Sequence, residues 1–345
     1  MRPPGGLSNP TSRFESLRTE LEPGFEPSAD ELPGVELLRD PSRSIVARNE
    51  SPDVGFDAGV NPYRGCSHAC AYCFARPFHE YLGYSAGLDF ETKILFKPEA
   101  PALLRRALSR PSWVPRVLAF SGVTDCYQPA ERALRITRGC LEVMAEFRNP
   151  VAIITKGWLV TRDVDLLGEL AAHHAASVAV SVTTLDHGLQ RILEPGASPP
   201  ARRLQAIETL ARAGVPVTAM VAPVIPALND HEIPAILEAV ASAGALAAAK
   251  VMLRLPHGVG PLFEAWLDRY FPERKAKVLS KVRAMHSGSL HDSRFGLRQR
   301  GEGFLAEQTE ALFALGLRRN GLAREGPPLS TAAFRRPGAE QLSLV

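Results

Sequence analysis

No stretch of this 345-residue chain is apolar for the roughly 18–20 residues that a membrane-spanning helix requires. The longest candidate, residues 239–249, is short and consists mostly of Ala and Gly. The opening MRPPGGLSNP lacks the apolar core of a secretory leader. Cysteine is scarce, with five in all, which excludes a disulfide scaffold and points to a reducing compartment. Charge is nearly balanced, a net +3, and by itself argues for no partner. These absences lead us to expect a soluble, cytoplasmic protein with no membrane partner. What is present suffices for a sizeable core: hydrophobic residues make up 45% of a chain long enough for one large domain plus accessory segments.

Three of the five cysteines fall in one run, Cys66-Ser-His-Ala-Cys70-Ala-Tyr-Cys73, inside NPYRGCSHACAYCFAR. One tight loop can bring three such thiolates onto a single face. Iron–sulfur clusters are held by Cys thiolates, and a four-iron cubane with three protein ligands keeps one iron open for a substrate or cofactor. The alternative is zinc, with His68 or a distant residue as fourth ligand. Structural zinc usually takes its ligands as two separated pairs, and Cys126 and Cys140 form no such pair.

Along the chain, residues 1–52 are dense in Pro and Gly and read as an irregular N-terminal arm. From residue 53 to 257, short β-branched runs alternate with helical stretches. The strands are expected in 116–122, 150–157, 177–184, 215–223 and 249–256, with a first one before the cysteine loop. Helices are expected over 129–147, 160–174, 200–213 and 231–243. Six β/α units argue for a parallel α/β architecture. Residues 258–319 read as a helical, basic extension, with helices over 261–285 and 302–316, and 320–345 as a flexible tail.

The cysteine spacing, with Tyr72 just before the third Cys, resembles that of the radical S-adenosylmethionine (radical SAM) enzymes. The resemblance implies a partial (β/α)6 TIM-like barrel with a C-terminal helical extension, and a [4Fe-4S] cluster on Cys66, Cys70 and Cys73. It further implies S-adenosylmethionine on the open iron, its one-electron cleavage to a 5′-deoxyadenosyl radical, and a flavodoxin-, ferredoxin- or reductase-type electron donor. In such barrels the site lies at the C-terminal ends of the strands. The segments TKG (155–157), LEPGASPPARRLQAIETLARAGVPV (193–217) and MVAPVIP (220–226) are most similar to spore photoproduct lyase and its relatives labelled DNA repair photolyases. Carried over, Tyr72, Lys156 and Ser181 stand as cofactor contacts, Lys156 and Ser181 reaching carboxylate and ribose. Thr124 and Asp125 stand where the family binds the methionyl amino group, and the backbone around Ala222 would meet the adenine edge. The chain departs from spore photoproduct lyase where that enzyme has a hydrogen-donating cysteine: the aligned residue is Gly122. Cys126, four residues on, is the candidate catalytic thiol in its place, with an ordinary buried thiol as the alternative; Cys140 reads as core.

Residues 261–300 carry nine Lys and Arg against four acids. Such density can neutralise phosphates, and it makes DNA a candidate partner through residues 269–300, although a solvated helix face is the plainer reading. The loop holding His286, His291, Arg294, Arg298 and Arg300 is expected across the open side of the barrel. The last five residues, Gln341-Leu342-Ser343-Leu344-Val345, resemble the peptide by which bacterial repair and replication proteins bind the sliding clamp, with Val in place of its terminal Phe. The expectation is therefore a lyase-like radical SAM enzyme acting on nucleic acid, in the manner of DNA-lesion repair. The rivals are modification of RNA, a peptide or a small molecule, and a non-catalytic iron–sulfur redox or adaptor protein. Auxiliary cysteine triads, which would favour peptide modification, do not occur in the sequence.

Overall fold

The computed structural model describes residues 4–10, 12–14 and 34–337. Its strands are β1 (Glu36–Arg39), β2 (Val46–Arg48), β3 (Ala58–Val60), β4 (Tyr63–Arg64), β5 (Lys93–Phe96), β6 (Leu118–Phe120), β7 (Val151–Thr155), β8 (Ala176–Ser181), β9 (Val217–Val224) and β10 (Ala247–Met252). The helices are α1 (Leu88–Thr92), α2 (Ala100–Ser109), α3 (Glu131–Leu134), α4 (Ile136–Phe147), α5 (Val164–Ala171), α6 (His187–Leu193), α7 (Pro200–Arg212), α8 (Ile233–Ser242), α9 (Val259–Tyr270), α10 (Pro272–Met285) and α11 (Phe304–Arg319).

The main sheet runs β10-β9-β8-β7-β6-β3-β2. Strands β3 and β6 to β10 are mutually parallel and lie side by side in chain order, while β2 joins β3 antiparallel. This is the six-unit α/β frame expected from the alternation. The sheet does not close on itself, since β2 and β10 do not pair with each other, and the outer edge of β10 is bridged at Ala247 to Ala323. Strands β3 and β6 are wholly buried, and β7 and β9 alternate buried with half-buried positions. Parallel strands need cover on both faces. One face is packed by Leu141 and Met144 of α4, Leu167 and Leu170 of α5, Ile207 and Leu210 of α7, and Ile236 and Val240 of α8. Each such side chain contributes about 1.5–3 kcal/mol by leaving water.

Several local expectations differ from the structure. The single helix expected over 129–147 is two, broken at Arg135, which adopts φ 52°. The break has a partner: the Glu131 carboxylate turns to accept the N–H groups of Thr137 at 2.9 Å and Arg138 at 3.3 Å. It thereby satisfies donors that the start of α4 leaves without helical acceptors. The helix expected over 160–174 begins as a 3-10 turn, Trp158–Asp163, and becomes α5 only at Val164. Helix α6 was not anticipated; Asp186 caps it, accepting from Gly188 N at 2.6 Å and Leu189 N at 3.2 Å.

The N-terminal arm is not irregular throughout. Strand β1 pairs parallel with β5, which pairs antiparallel with β4, and Gly5 and Gly6 are buried against the Glu91 carboxylate. Nor is the tail free as far as residue 337. Ser330 N donates to His174 O at 2.8 Å, Arg335 N donates to Phe147 O at 2.9 Å, and the ring of Phe334 meets that of Phe147 at 6.3 Å. The clamp-like segment Gln341–Val345 lies outside the described residues. Helices α9 and α10 carry a second core, in which Phe263 and Trp266 stack at 5.3 Å and which includes Cys70, Tyr72, Leu189, Leu193 and Leu253. The extension therefore packs directly onto the cysteine loop. No helix among the described residues is long and apolar enough to cross a membrane.

Candidate active site

The chain leaves β3 at Val60, passes β4 and enters the cysteine loop at Gly65. The loop accordingly sits at the C-terminal end of the first parallel strand. Gly65 adopts φ +76°, and a Cβ there would stand 2.8 Å from Lys93 O, so this entry needs glycine. Buried polar groups then hold the loop from several sides. The Gln128 amide accepts from Ser67 N at 3.0 Å and donates to Gly65 O at 3.0 Å. Arg76, with no exposed surface, donates to Cys70 O at 3.0 and 2.9 Å and to Gly87 O at 2.9 Å. Its charge is met by the Glu91 carboxylate, which also accepts from the backbone of Gly5 and Gly6. From the far side, Ala71 N donates to Leu193 O at 3.0 Å and Gly196 N to His68 O at 2.9 Å. A Cβ on Gly196 would lie 1.9 Å from Ser67 O, so the Leu193–Gly196 turn presses backbone on backbone against the loop.

The three thiols have different surroundings. Cys66 and Cys70 are buried in separate apolar clusters, and half-buried Cys73 packs against both. Burial, with Asp125 and Cys73 nearby, pushes the Cys66 thiol up to about 12. Burial and the Glu194 carboxylate raise Cys70 well above the thiol range, partly offset by the Lys156 ammonium. Among the described residues no three His, Cys, Asp or Glu side chains converge on a point where a single metal ion would sit.

The ends of β7, β8 and β9 bring further residues to the same place. Lys156 follows β7 and has its ammonium 5.7 Å from the centre of the Tyr72 ring, with no ion-pair partner among the described residues. Ser181 ends β8 and is buried, its carbonyl accepting from Arg203 at 3.1 Å. Ala222 lies in β9 and its carbonyl accepts the Thr183 hydroxyl at 2.9 Å. The same Thr183 oxygen lies 2.6 Å from Glu194, its one proton shared between the two acceptors, and the Tyr72 hydroxyl donates to the same carboxylate. Glu194 and Arg203 form a fully buried ion pair. Burial would raise the Glu194 carboxyl, but Arg203, Lys156 and the two hydroxyls outweigh it and hold it below the usual range.

Thr124 and Asp125 approach the loop from β6. The Thr124 hydroxyl donates to Tyr63 O at 2.8 Å, so it serves the backbone. Asp125 accepts from Lys156 N at 2.7 Å, Thr155 Oγ1 at 2.7 Å and Tyr127 N at 2.8 Å, and stands 3.2 Å from His68 Nδ1. Burial alone would raise this carboxyl; the His68 ring and those donors bring it down to about 2. Asp125 thus ties β7 to the cysteine loop. Cys126 has no exposed surface and packs in the main core with Tyr63, Tyr127 and Cys140, its pKa raised by burial. That is the setting of a core thiol.

The basic segment is also less open than its composition suggests. Arg294 pairs with Asp292 and Glu302, Lys275 with Asp268 at 2.6 Å, Arg283 with Glu264 at 3.3 Å, and Arg298 with Asp53. The His286 ring is buried, its Nε2 2.9 Å from Leu253 O. Sequence reasoning missed Arg76, Gln128, Thr183, Glu194, Arg203 and Arg254. Glu194 and Arg203 do lie inside the 193–217 segment that carries the resemblance, which was the available signal.

A parallel α/β sheet with a three-thiol loop at the end of its first strand, faced by a lysine from the third, defines the class of this protein. A model of the radical SAM superfamily matches residues 60–240, and the chain belongs to that family, whose cofactors are a [4Fe-4S] cluster and S-adenosylmethionine. An uncharacterized protein of Mycobacterium tuberculosis is 40% identical over 245 residues, 70% of this chain and 71% of the relative. One of Methanocaldococcus jannaschii is 28% identical over 198 residues, 57% of this chain and 71% of the relative. Among solved structures, spore photoproduct lyase complexed with dinucleoside spore photoproduct superposes with TM-score 0.59 at 14% identity, covering 82% of this chain and 79% of that chain. At that identity the likeness is one of fold.

Proposed function

We propose that this chain is a radical SAM enzyme that acts on nucleic acid, in a lyase-like reaction of the DNA-repair type, with Cys66, Cys70 and Cys73 as its cluster ligands. The observation that carries the reading is the placement of three thiols in one buttressed loop, facing a lysine that has no ion-pair partner among the described residues. The residues fit the group. Three free cysteine thiols on one loop are the donor set of an iron–sulfur cubane that keeps one iron open. When bound, the cluster and S-adenosylmethionine supply one-electron cleavage of the sulfonium and hydrogen-atom abstraction.

The chain's own residues do the rest. Lys156 offers an ammonium to a carboxylate, held in place by Tyr72 beneath it and by its backbone bond to Asp125. The two apolar clusters around the thiols keep water from the loop. Gln128 and Arg76 fix the loop backbone, so that the ligands need little reorganisation. Because Cys66 and Cys70 stand as neutral thiols, loading the loop releases protons. The nucleic-acid substrate draws support from the fold shared with a protein that binds a dinucleoside photoproduct.

The test is anaerobic reconstitution with iron and sulfide, dithionite reduction, and assay of 5′-deoxyadenosine from S-adenosylmethionine, with and without irradiated DNA. Wild type is expected to yield product and Cys70→Ala none. A cluster that forms in wild type without any cleavage, alone or with DNA, would overturn the enzymatic reading and favour a redox or adaptor role.

A further inference from the structure

Two phenyl rings on the rim of the site face solvent, and each carries an arginine. Phe74, immediately after Cys73, is 40% exposed, and the Arg254 guanidinium lies 4.4 Å from its centre. Phe295 is 58% exposed, with the Arg298 guanidinium 4.5 Å from its centre. The two arginines lie within each other's field, with Asp53 between them in charge. They are not equivalent. Arg298 is committed to Asp53 and to Ser51. Arg254, half-buried just beyond the end of β10, has no hydrogen-bond or ion-pair partner among the described residues. Close to it, His291 keeps a buried Nδ1 without a partner.

We propose that Phe74, Arg254, Phe295 and Arg298 form the strip by which this enzyme grips a single-stranded stretch of nucleic acid beside Cys73, with Arg254 on a backbone phosphate and the phenyl rings under unstacked bases. This rests on the nucleic-acid reading above and locates its contact. A half-buried guanidinium without an acceptor is stabilised by an anion, and its planar fork suits phosphate. Bases stack on exposed aromatic rings whatever their sequence, and arginine adds to that stacking. An apolar protein partner would bury Arg254 uncompensated, and a free phosphate would leave both rings unused. A strand of nucleic acid uses all four side chains. The α10 face is the less suited surface: Lys275 and Arg283 already have acidic partners, and Lys277 and Lys281 have no aromatic ring beside them among the described residues.

The experiment is fluorescence anisotropy of a short labelled oligodeoxythymidylate on the reconstituted full chain, across a range of salt concentrations. Arg254→Gln is expected to weaken binding about tenfold and to reduce the salt slope by roughly 0.7, the value for one phosphate on a single strand. The double variant Phe74→Ala/Phe295→Ala is expected to lose about tenfold or more with the slope unchanged. Lys277→Gln/Lys281→Gln is expected to stay within about twofold of wild type. Iron and sulfide content and thermal melting check folding; should Arg254→Gln fold poorly, Arg254→Lys, which keeps the charge, is expected to keep the slope. Wild-type binding that neither the Arg254 nor the phenylalanine variants weaken overturns the strip and leaves the nucleic-acid reading standing. Absence of wild-type binding overturns both. A loss in the α10 variant as large as that in Arg254→Gln moves the contact to the helix and overturns the strip.

Discussion

Arg76, Arg203 and Arg254 all reach the strand-end side of this sheet, and they are treated in two ways. Arg76 and Arg203 are buried and matched, each by a buried carboxylate and by backbone carbonyls of the turns they hold. Arg254 lies over the face of the Phe74 ring beside Cys73 and has no hydrogen-bond or ion-pair partner among the described residues. The difference separates two kinds of charge. A guanidinium that shapes the site is neutralised within the fold, because an unpaired charge in a dry interior costs several kcal/mol. One that is left half-buried without an acceptor is available to something that comes from outside.

The comparison breaks most visibly in stability. Arg76→Met or Arg203→Met leaves Glu91 or Glu194 uncompensated and is expected to cost about 3–5 kcal/mol in denaturant unfolding. A loss under about 1 kcal/mol would show that these pairs do not support the loop. Next comes Gly196→Ala, whose Cβ would meet Ser67 O at 1.9 Å. It is expected to cost about 1–3 kcal/mol and to lower iron uptake on reconstitution, which equal uptake at equal protein would contradict.

A pH dependence sharpens the same contrast on the paired flank. Burial lowers His79 from its ordinary 6.5 to about 4, despite Asp89 nearby. A base depressed in the folded state is protonated first in the unfolded chain, so its contribution is complete above pH 6.5 and is lost as pH falls towards 4. Between pH 7 and pH 5 wild type is expected to lose up to about 2 kcal/mol more than His79→Leu. Parallel stability curves for the two would refute the assignment. The smallest effect is expected at Arg254: Arg254→Gln removes a charge that has no ion-pair partner among the described residues and should change stability by less than about 0.5 kcal/mol. A loss comparable with that of Arg203→Met would erase the distinction between the two kinds of arginine.

Much of the frame was legible in the sequence. The β-branched runs at 150–157 and 215–223 became β7 and β9 because period-2 burial and parallel pairing leave a local pattern. Cys66, Cys70 and Cys73 were legible because ligands on one loop are near in sequence as well as in space. The break at Arg135 was not, since the Glu131 carboxylate that caps α4 sits inside what reads as one helical run. Residues 34–52 and 320–337 read as loose because their anchors, β5 for one and the carbonyls of His174 and Phe147 for the other, are far away in the chain.

The site divides in the same manner. The sequence by itself determined that a three-thiol loop follows the first strand of a parallel α/β frame and that Lys156 ends a later strand, because spacing and periodicity are local. Only the tertiary structure decided that Cys126 is a core thiol, that Arg294 and Arg298 are already paired, and that Arg254 has no such partner among the described residues. Partnership is set by which distant side chains meet once the strands are side by side, and no local pattern records it.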